Sequence, residues 1–167
     1  VAKKHNILLI VDNCFATPYL QNPIKYGADL VIHSATKYMD GQGRVLGGIV
    51  VGKKELVHDI YLFGRLTGPS MSPFNAWVLS KSLETLALRM DRHCDNALYV
   101  AQKLEGHAQL ENVSYPFLLS HPHHAIAKKQ MRDFGGMLSF TLKNDSIEKA
   151  TLMMESVELF SLAESLG

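Results

Sequence analysis

The chain has little of several features that commonly decide a function. Cysteine is scarce: Cys14 and Cys94 are the two in 167 residues, too few for a disulfide framework. No opening stretch reads as a signal peptide, so a reducing cytoplasm is the expected compartment. An excess of charge is also missing, since 17 Lys and Arg against 16 Asp and Glu leave a net +1. That balance gives no electrostatic footprint for nucleic acid or an anionic membrane, and neither is expected as a partner. The longest apolar runs, such as "ILLIV" and "VLGGIVVG", fall far short of the ~20 residues that cross a bilayer. There is no internal repeat and no low-complexity tract. What is present, 47% hydrophobic and 20% charged residues, is the composition of a globular chain of one or two domains with a real core.

The order of elements predicts an α/β fold. "VAKKHN" reads as a helix tail feeding a β-rich run over 7–11 that ends in Asp12; a Pro/Asn-punctuated segment with helical character follows over 18–27. Strands are expected at 28–33 and 47–52, and short continuous apolar strands with connecting elements predict a sheet covered on both faces. "KKELVHDIYLFGRL" carries a helical stripe at Leu56, Ile60 and Phe63, ended by Gly68, Pro69 and Pro73. One or two long helices are expected from Asn75 to about Leu104, with Trp77, Leu79 and Leu83 as core or subunit contact. A smaller α/β unit follows: strand "VSYP", a helix at 124–132, strand "GGMLSFTLK", a helix over Ser146 to Glu155 and a last strand at 157–160. Both ends look like cuts, so the chain is expected to be an internal piece of a longer protein.

One stretch concentrates chemistry: "ADLVIHSATKYMDGQGRVLGG", residues 28–48. In an extended segment residues two apart share a side, so Ser34 and Thr36 would aim their hydroxyls together, a pair suited to a phosphate. Lys37 beside them adds either charge or a reactive amine. Asp12 closes an apolar strand, where a carboxylate is costly without a cationic or hydrogen-bonding partner. Asp12 and the Ser34 to Lys37 group both fall at strand carboxyl ends, where sites form in parallel sheets. A carboxylate, two hydroxyls and an amine are the parts that hold pyridoxal 5'-phosphate: Lys37 for a Schiff base, Asp12 on the pyridine nitrogen, and hydroxyls on the phosphate. The charge-assisted bond to the ring nitrogen is worth on the order of 1.5–3 kcal/mol.

"VDNCFATPYLQNPIKYGADLVIHSATKYMDGQGRVLGGIVVG", with "GPSMSPFNAWVLSKSLETLALRM", "SHPHHAIAKKQM", "FGGMLSF" and "FSLAESLG", resembles the Cys/Met-metabolism family of PLP-dependent enzymes over nearly the whole chain. The resemblance implies PLP-dependent transferase fold type I, with residues 1–95 as part of the PLP-binding large domain and 96–167 as part of a small C-terminal domain. It implies that Lys37 is the Schiff-base lysine, Asp12 the pyridinium partner, Ser34 and Thr36 phosphate ligands, and Ser165 a residue close to the substrate carboxylate and to Lys37. It also implies a homotetramer acting on a small amino-acid substrate with a sulfur nucleophile. Cys14, Gln42 and Arg44 stand where synthases and lyases usually carry "VDNT" and "GHSD", and with "SPFNAW" they resemble the O-succinylhomoserine sulfhydrylase branch. "FSLAESLG" is instead similar to the synthase and γ-lyase branch. Residues nearer the cofactor weigh more, which favours γ-replacement on an activated homoserine ester.

Other conspicuous residues have plainer readings. Cys14 is expected to be a small buried thiol beside a strand end. "HPHH", with His121, His123 and His124, lacks a companion Cys or acidic pattern and reads as a polar loop opening a helix, so no metal is expected. "GQGRVLGG" has the wrong spacing for a GxGxxG dinucleotide fingerprint. Its glycines are expected to relieve crowding around Lys37, with Arg44 at a surface or interface. Against a sulfhydrylase stand two competitors: a cystathionine γ-synthase, cystathionine γ-lyase or methionine γ-lyase, and a non-catalytic phosphate-binding or assembly module in which Lys37 is only a point charge.

Overall fold

The computed structural model describes residues 1–163, 165 and 166, and the fold is mixed α/β. Strands β1 (Ile10–Asp12), β2 (Leu30–Ser34) and β3 (Gly48–Gly52) form one sheet in that order. β1 and β2 are parallel, with Asp12 opposite Ile32, so Asp12 and Ser34 end at the same edge. β3 is antiparallel to β2 and begins at Gly48, opposite Ser34. The β1 to β2 connection contains the short helix α1 (Thr17–Leu20) and a 3-10 turn, Pro23–Tyr26, closed by left-handed Gly27 at φ +94°. Thr17, fully buried, also has a positive φ, +60°, an uncommon and costly state for a β-branched residue. Its surroundings hold it there: the Asn13 carboxamide donates to the carbonyls of Thr17 and Gln21 at 3.0 and 2.9 Å.

After β3 come α2 (Lys54–Thr67), α3 (Pro73–Leu83) and α4 (Leu86–Leu104). Pro73 sits in the first turn of α3 and Ser72 caps it, accepting from the Asn75 N–H at 3.1 Å, the arrangement that ends one helix cleanly and starts the next. Strands β4 (Leu110–Ser114) and β5 (Ser139–Leu142) make a separate antiparallel pair, with α5 (His124–Gln130) between them in sequence and α6 (Ile147–Ser156) after. Residues 157–160 do not form the expected last strand. Leu159 and Phe160 stay 92% and 66% exposed, so an apolar, strand-like run finds no ladder to join.

Three apolar clusters hold these pieces together. Ala35, Met39, Val45 and Leu79 pack α3 against the turn that follows β2. Leu20, Tyr38, Leu86, Met90 and Cys94 join α1, that turn and the first half of α4. Ala97 and Ala101 carry the second half of α4 onto Tyr115, Leu118 and Phe134. α4 therefore runs through the expected boundary at residue 95 and serves cores on both sides of it. The sheet is not covered on both faces among the described residues: Ile10, Ile32 and Val51 are 51%, 41% and 44% exposed. α3 packs on the turn after β2, α4 on that turn and on β4, and α2 on β3. Leu79 is core at 4% exposure, whereas Trp77 on the same helix is 58% exposed.

Candidate active site

β2 ends at Ser34 and the chain enters a wide helical turn, Ala35–Met39, closed by the Asp40 N–H on the Ala35 carbonyl at 2.9 Å. Apolar Ala35, Tyr38 and Met39 are the buried positions of that turn, which leaves Thr36 and Lys37 half-buried and facing outward. Extended alternation thus stops at Ser34, and the geometric argument that Ser34 and Thr36 share a side does not hold. Ser34 and Lys37 line a cavity of about 560 Å³ together with Asp12, Asn13 and Cys14. Thr36 lines a neighbouring cavity of about 300 Å³ with Arg44 and Ser165. The Thr36 hydroxyl oxygen accepts from the Gly47 N–H at 3.2 Å, so its own proton remains available to donate.

The two cavities meet through Lys37, whose Nζ donates to Ser165 Oγ at 2.6 Å across 128 residues of sequence. Asp12 is prepared as an anion. The Cys14 thiol and the Cys14 N–H, the latter at 3.0 Å, hydrogen-bond its carboxylate and hold it below the usual carboxylate range. Cys14 is pushed the other way, by burial and by its bond to Asp12. Its sulfur also accepts the Ser34 N–H at 2.8 Å, so this half-buried thiol ties the end of β1 to the end of β2. His33, next to Ser34 in β2, is buried, and burial lowers its pKa.

Sequence reasoning missed the far wall. Met131, Phe134, Gly135 and Met137, from the segment between α5 and β5, close the Asp12 cavity. Gly135 has φ +79°, and its carbonyl accepts from the buried Tyr115 hydroxyl at 2.8 Å. The Gly135-Gly136 pair was the available signal: a Cβ on Gly136 would stand 2.9 Å from the Tyr38 hydroxyl and 3.2 Å from His93 Cβ, so the segment docks beside the lysine turn only as glycine. Arg44 is not merely a surface residue, since it pairs with fully buried Asp40 at 3.1 Å. Among the described residues no group of three or more His, Cys, Asp or Glu could hold a metal.

The donor set fits PLP chemically. An anionic carboxylate matches a protonated pyridine nitrogen, a primary amine matches an aldehyde, and hydroxyl donors match a phosphate.

An amine, a fixed anion and hydroxyls at the carboxyl ends of parallel strands define the class of site, that of a PLP-dependent enzyme. The chain belongs to the Cys/Met metabolism PLP-dependent enzyme family, whose model matches residues 1–167. It is 47% identical over its full length to a cystathionine beta-lyase of Coxiella burnetii, covering 43% of that protein. It is 48% identical to an L-methionine gamma-lyase of Fusobacterium nucleatum over 97% of its length, covering 41% of that relative. Identity is 46% to an O-succinylhomoserine sulfhydrylase of Pseudomonas aeruginosa, over the whole chain and 41% of the relative. A solved cystathionine gamma synthase of Xanthomonas oryzae pv. oryzae, in complex with cystathionine, superposes with TM-score 0.95 at 41% identity, over 99% of this chain and 43% of that one. The chain thus spans less than half the length of these relatives. No helix among the described residues is long and apolar enough to cross a membrane.

Proposed function

We propose that the full-length protein carries out γ-replacement on an activated homoserine ester, O-succinyl- or O-acetylhomoserine, with a sulfur nucleophile, giving homocysteine for methionine formation. The observation that carries the reading is the single cavity gathering Asp12, Ser34 and Lys37, with Lys37 Nζ held on Ser165. Lys37 would hold the aldehyde carbon of PLP, Asp12 the proton on its ring nitrogen, and Ser34 and Thr36 its phosphate. Bound there, PLP supplies an electron sink for negative charge developing on the substrate carbons. The residues of the chain do the rest. Lys37 Nζ would take the proton from the substrate Cα and then one from Cβ, so that the ester carboxylate leaves from Cγ, and would return protons to Cβ and Cα after the sulfur nucleophile adds at Cγ, as a general base and then acid. Ser165 orients that amine and stands next to the substrate carboxylate. Phe134, Met131 and Met137 form an apolar wall that limits water around the leaving ester.

The preference for replacement rests on Cys14, Gln42 and Arg44, which with "SPFNAW" resemble the sulfhydrylase branch. A second reading, elimination from cystathionine or methionine, is the activity for which lyase relatives of similar identity are named. The same proposal takes residues 1–95 as part of the large domain, 96–167 as part of the small one, and a cytoplasmic homotetramer as the working form. The test is product analysis of the full-length, PLP-supplied protein with O-succinylhomoserine or O-acetylhomoserine and either sulfide or cysteine. Homocysteine from sulfide supports the proposal. Oxo-acid and ammonia from cystathionine or methionine, without ester turnover, would replace it by the lyase reading.

A further inference from the structure

We propose that Arg89 is a positioning residue for Lys37, clamping the backbone of the turn that carries the amine; this rests on the role given to Lys37 above. Arg89 comes from the first turn of α4 and does not line the Asp12 cavity. Its guanidinium Nη1 donates to the Tyr38 carbonyl at 2.7 Å. Nη2 donates to the carbonyls of Met39 at 3.4 Å and Ser82 at 3.1 Å, and Nε to Thr85 Oγ1 at 3.2 Å. Tyr38 and Met39 are the two residues after Lys37, and one guanidinium fork spans both of their carbonyls.

Those carbonyls need a donor for a local reason. Lys37 has φ −82° and ψ −134°, outside the helical region, so the turn does not continue as a helix that would use them. The chain instead reverses at Gly41, φ +67°, whose N–H returns to the Lys37 carbonyl at 2.8 Å. A Cβ at Gly41 would collide with the Arg89 guanidinium, so this glycine leaves the space the clamp occupies. The exit of the loop is fixed from the same support. Buried Asp40 accepts from the Arg44 N–H at 2.6 Å and from the Ser82 hydroxyl at 3.1 Å, while the Ser82 carbonyl accepts from Arg89. Both ends of the Lys37 turn are therefore anchored to the α3–α4 junction. Lysine at 89 would offer a point charge in place of a fork, and methionine the bulk without donors.

The test uses the full-length protein with Arg89→Met, Arg89→Lys and Lys37→Ala. In cofactor-free Arg89→Met, the amides of Asp40 and Gly41 are expected to exchange at least ~10-fold faster, while those of Val31 and Ile32 in β2 hold their rates. In the PLP-supplied enzyme kcat is expected to fall ~10- to 100-fold with KM within about twofold, because a misplaced amine spoils the reacting geometry and not substrate binding. Arg89→Lys should lie between wild type and Arg89→Met in both readouts, and it carries the test alone if Arg89→Met does not fold. Exchange that stays unchanged, or that rises equally across β2 and α4, would overturn the clamp, as would a wild-type kcat. Lys37→Ala separates this from the underlying reading: if it retains the visible band of lysine-linked PLP, the role of Lys37 fails. If it loses the band while the Arg89 variants are silent, only the clamp fails.

Discussion

Replacing Asp40 by asparagine keeps the shape of a fully buried side chain and removes its charge. The carboxylate is surrounded by donors: the N–H groups of Arg44 and Val45 at 2.6 and 3.4 Å, Arg44 Nε and Nη2 at 3.2 and 3.1 Å, and the Ser82 hydroxyl at 3.1 Å. Either orientation of a carboxamide turns an NH2 toward groups that also donate, and only the Ser82 hydroxyl can reverse its role. Leaving a buried donor unmatched costs about 1–3 kcal/mol, and a bond to a charged group contributes about 1.5–3 kcal/mol. Breaking a wholly buried pair would cost more. The Arg44 side chain is 41% exposed, so water recovers part of the loss, and the expected destabilisation is about 2–3 kcal/mol. Burial alone would raise the Asp40 pKa, but the hydrogen bonds from Arg44, Ser82 and Val45 outweigh it and hold the group below the usual carboxylate range. A depressed folded pKa gives stability that is present above the unfolded value and is lost as pH falls through the folded one. Urea unfolding of the full-length protein and Asp40→Asn should therefore differ at pH 7, with the difference beginning to shrink below about pH 4 and disappearing as pH falls through the depressed folded pKa. A difference under about 0.5 kcal/mol at pH 7, or one that does not shrink in acid, would refute the reasoning.

Other substitutions probe the walls of the site. Tyr115→Phe strips the donor from the Gly135 carbonyl and should cost about 1–3 kcal/mol in urea unfolding, with faster amide exchange around Phe134. Asp12→Asn should weaken PLP binding at least ~10-fold in equilibrium dialysis. In the wild type, whose Asp12 pKa is depressed by Cys14, PLP affinity should hold through mild acid and fall only as the carboxyl protonates. The thiols should separate in a thiol-exchange assay at pH 8. Cys94, buried and pushed up to about 11, should react far more slowly than half-buried Cys14, and PLP should protect Cys14.

Much of this site could be read from residue order because its parts are local. Apolar runs with β-branched residues placed β1 and β2 to within a few residues, and the carboxyl-end argument put Asp12 and Ser34 at one edge because those two strands are parallel. The two-residue alternation argument failed at Thr36, where buried Tyr38 and Met39 impose a helical period and place it on the neighbouring cavity with Arg44 and Ser165. Contacts across long separations were not legible. Lys37 to Ser165 was anticipated only through family likeness, and nothing local announces that Arg89 serves Tyr38 and Met39. The run at 157–160 shows the opposite failure: strand-forming residues need a neighbouring edge, which local pattern does not supply.

The most direct test of the account is to reduce the full-length, PLP-loaded protein with borohydride and locate the attached pyridoxyl group by peptide mapping. The account predicts one modified lysine, Lys37, and no modification or visible PLP band in Lys37→Ala. Attachment at another lysine such as Lys25 or Lys53, or a band that survives Lys37→Ala, would contradict it.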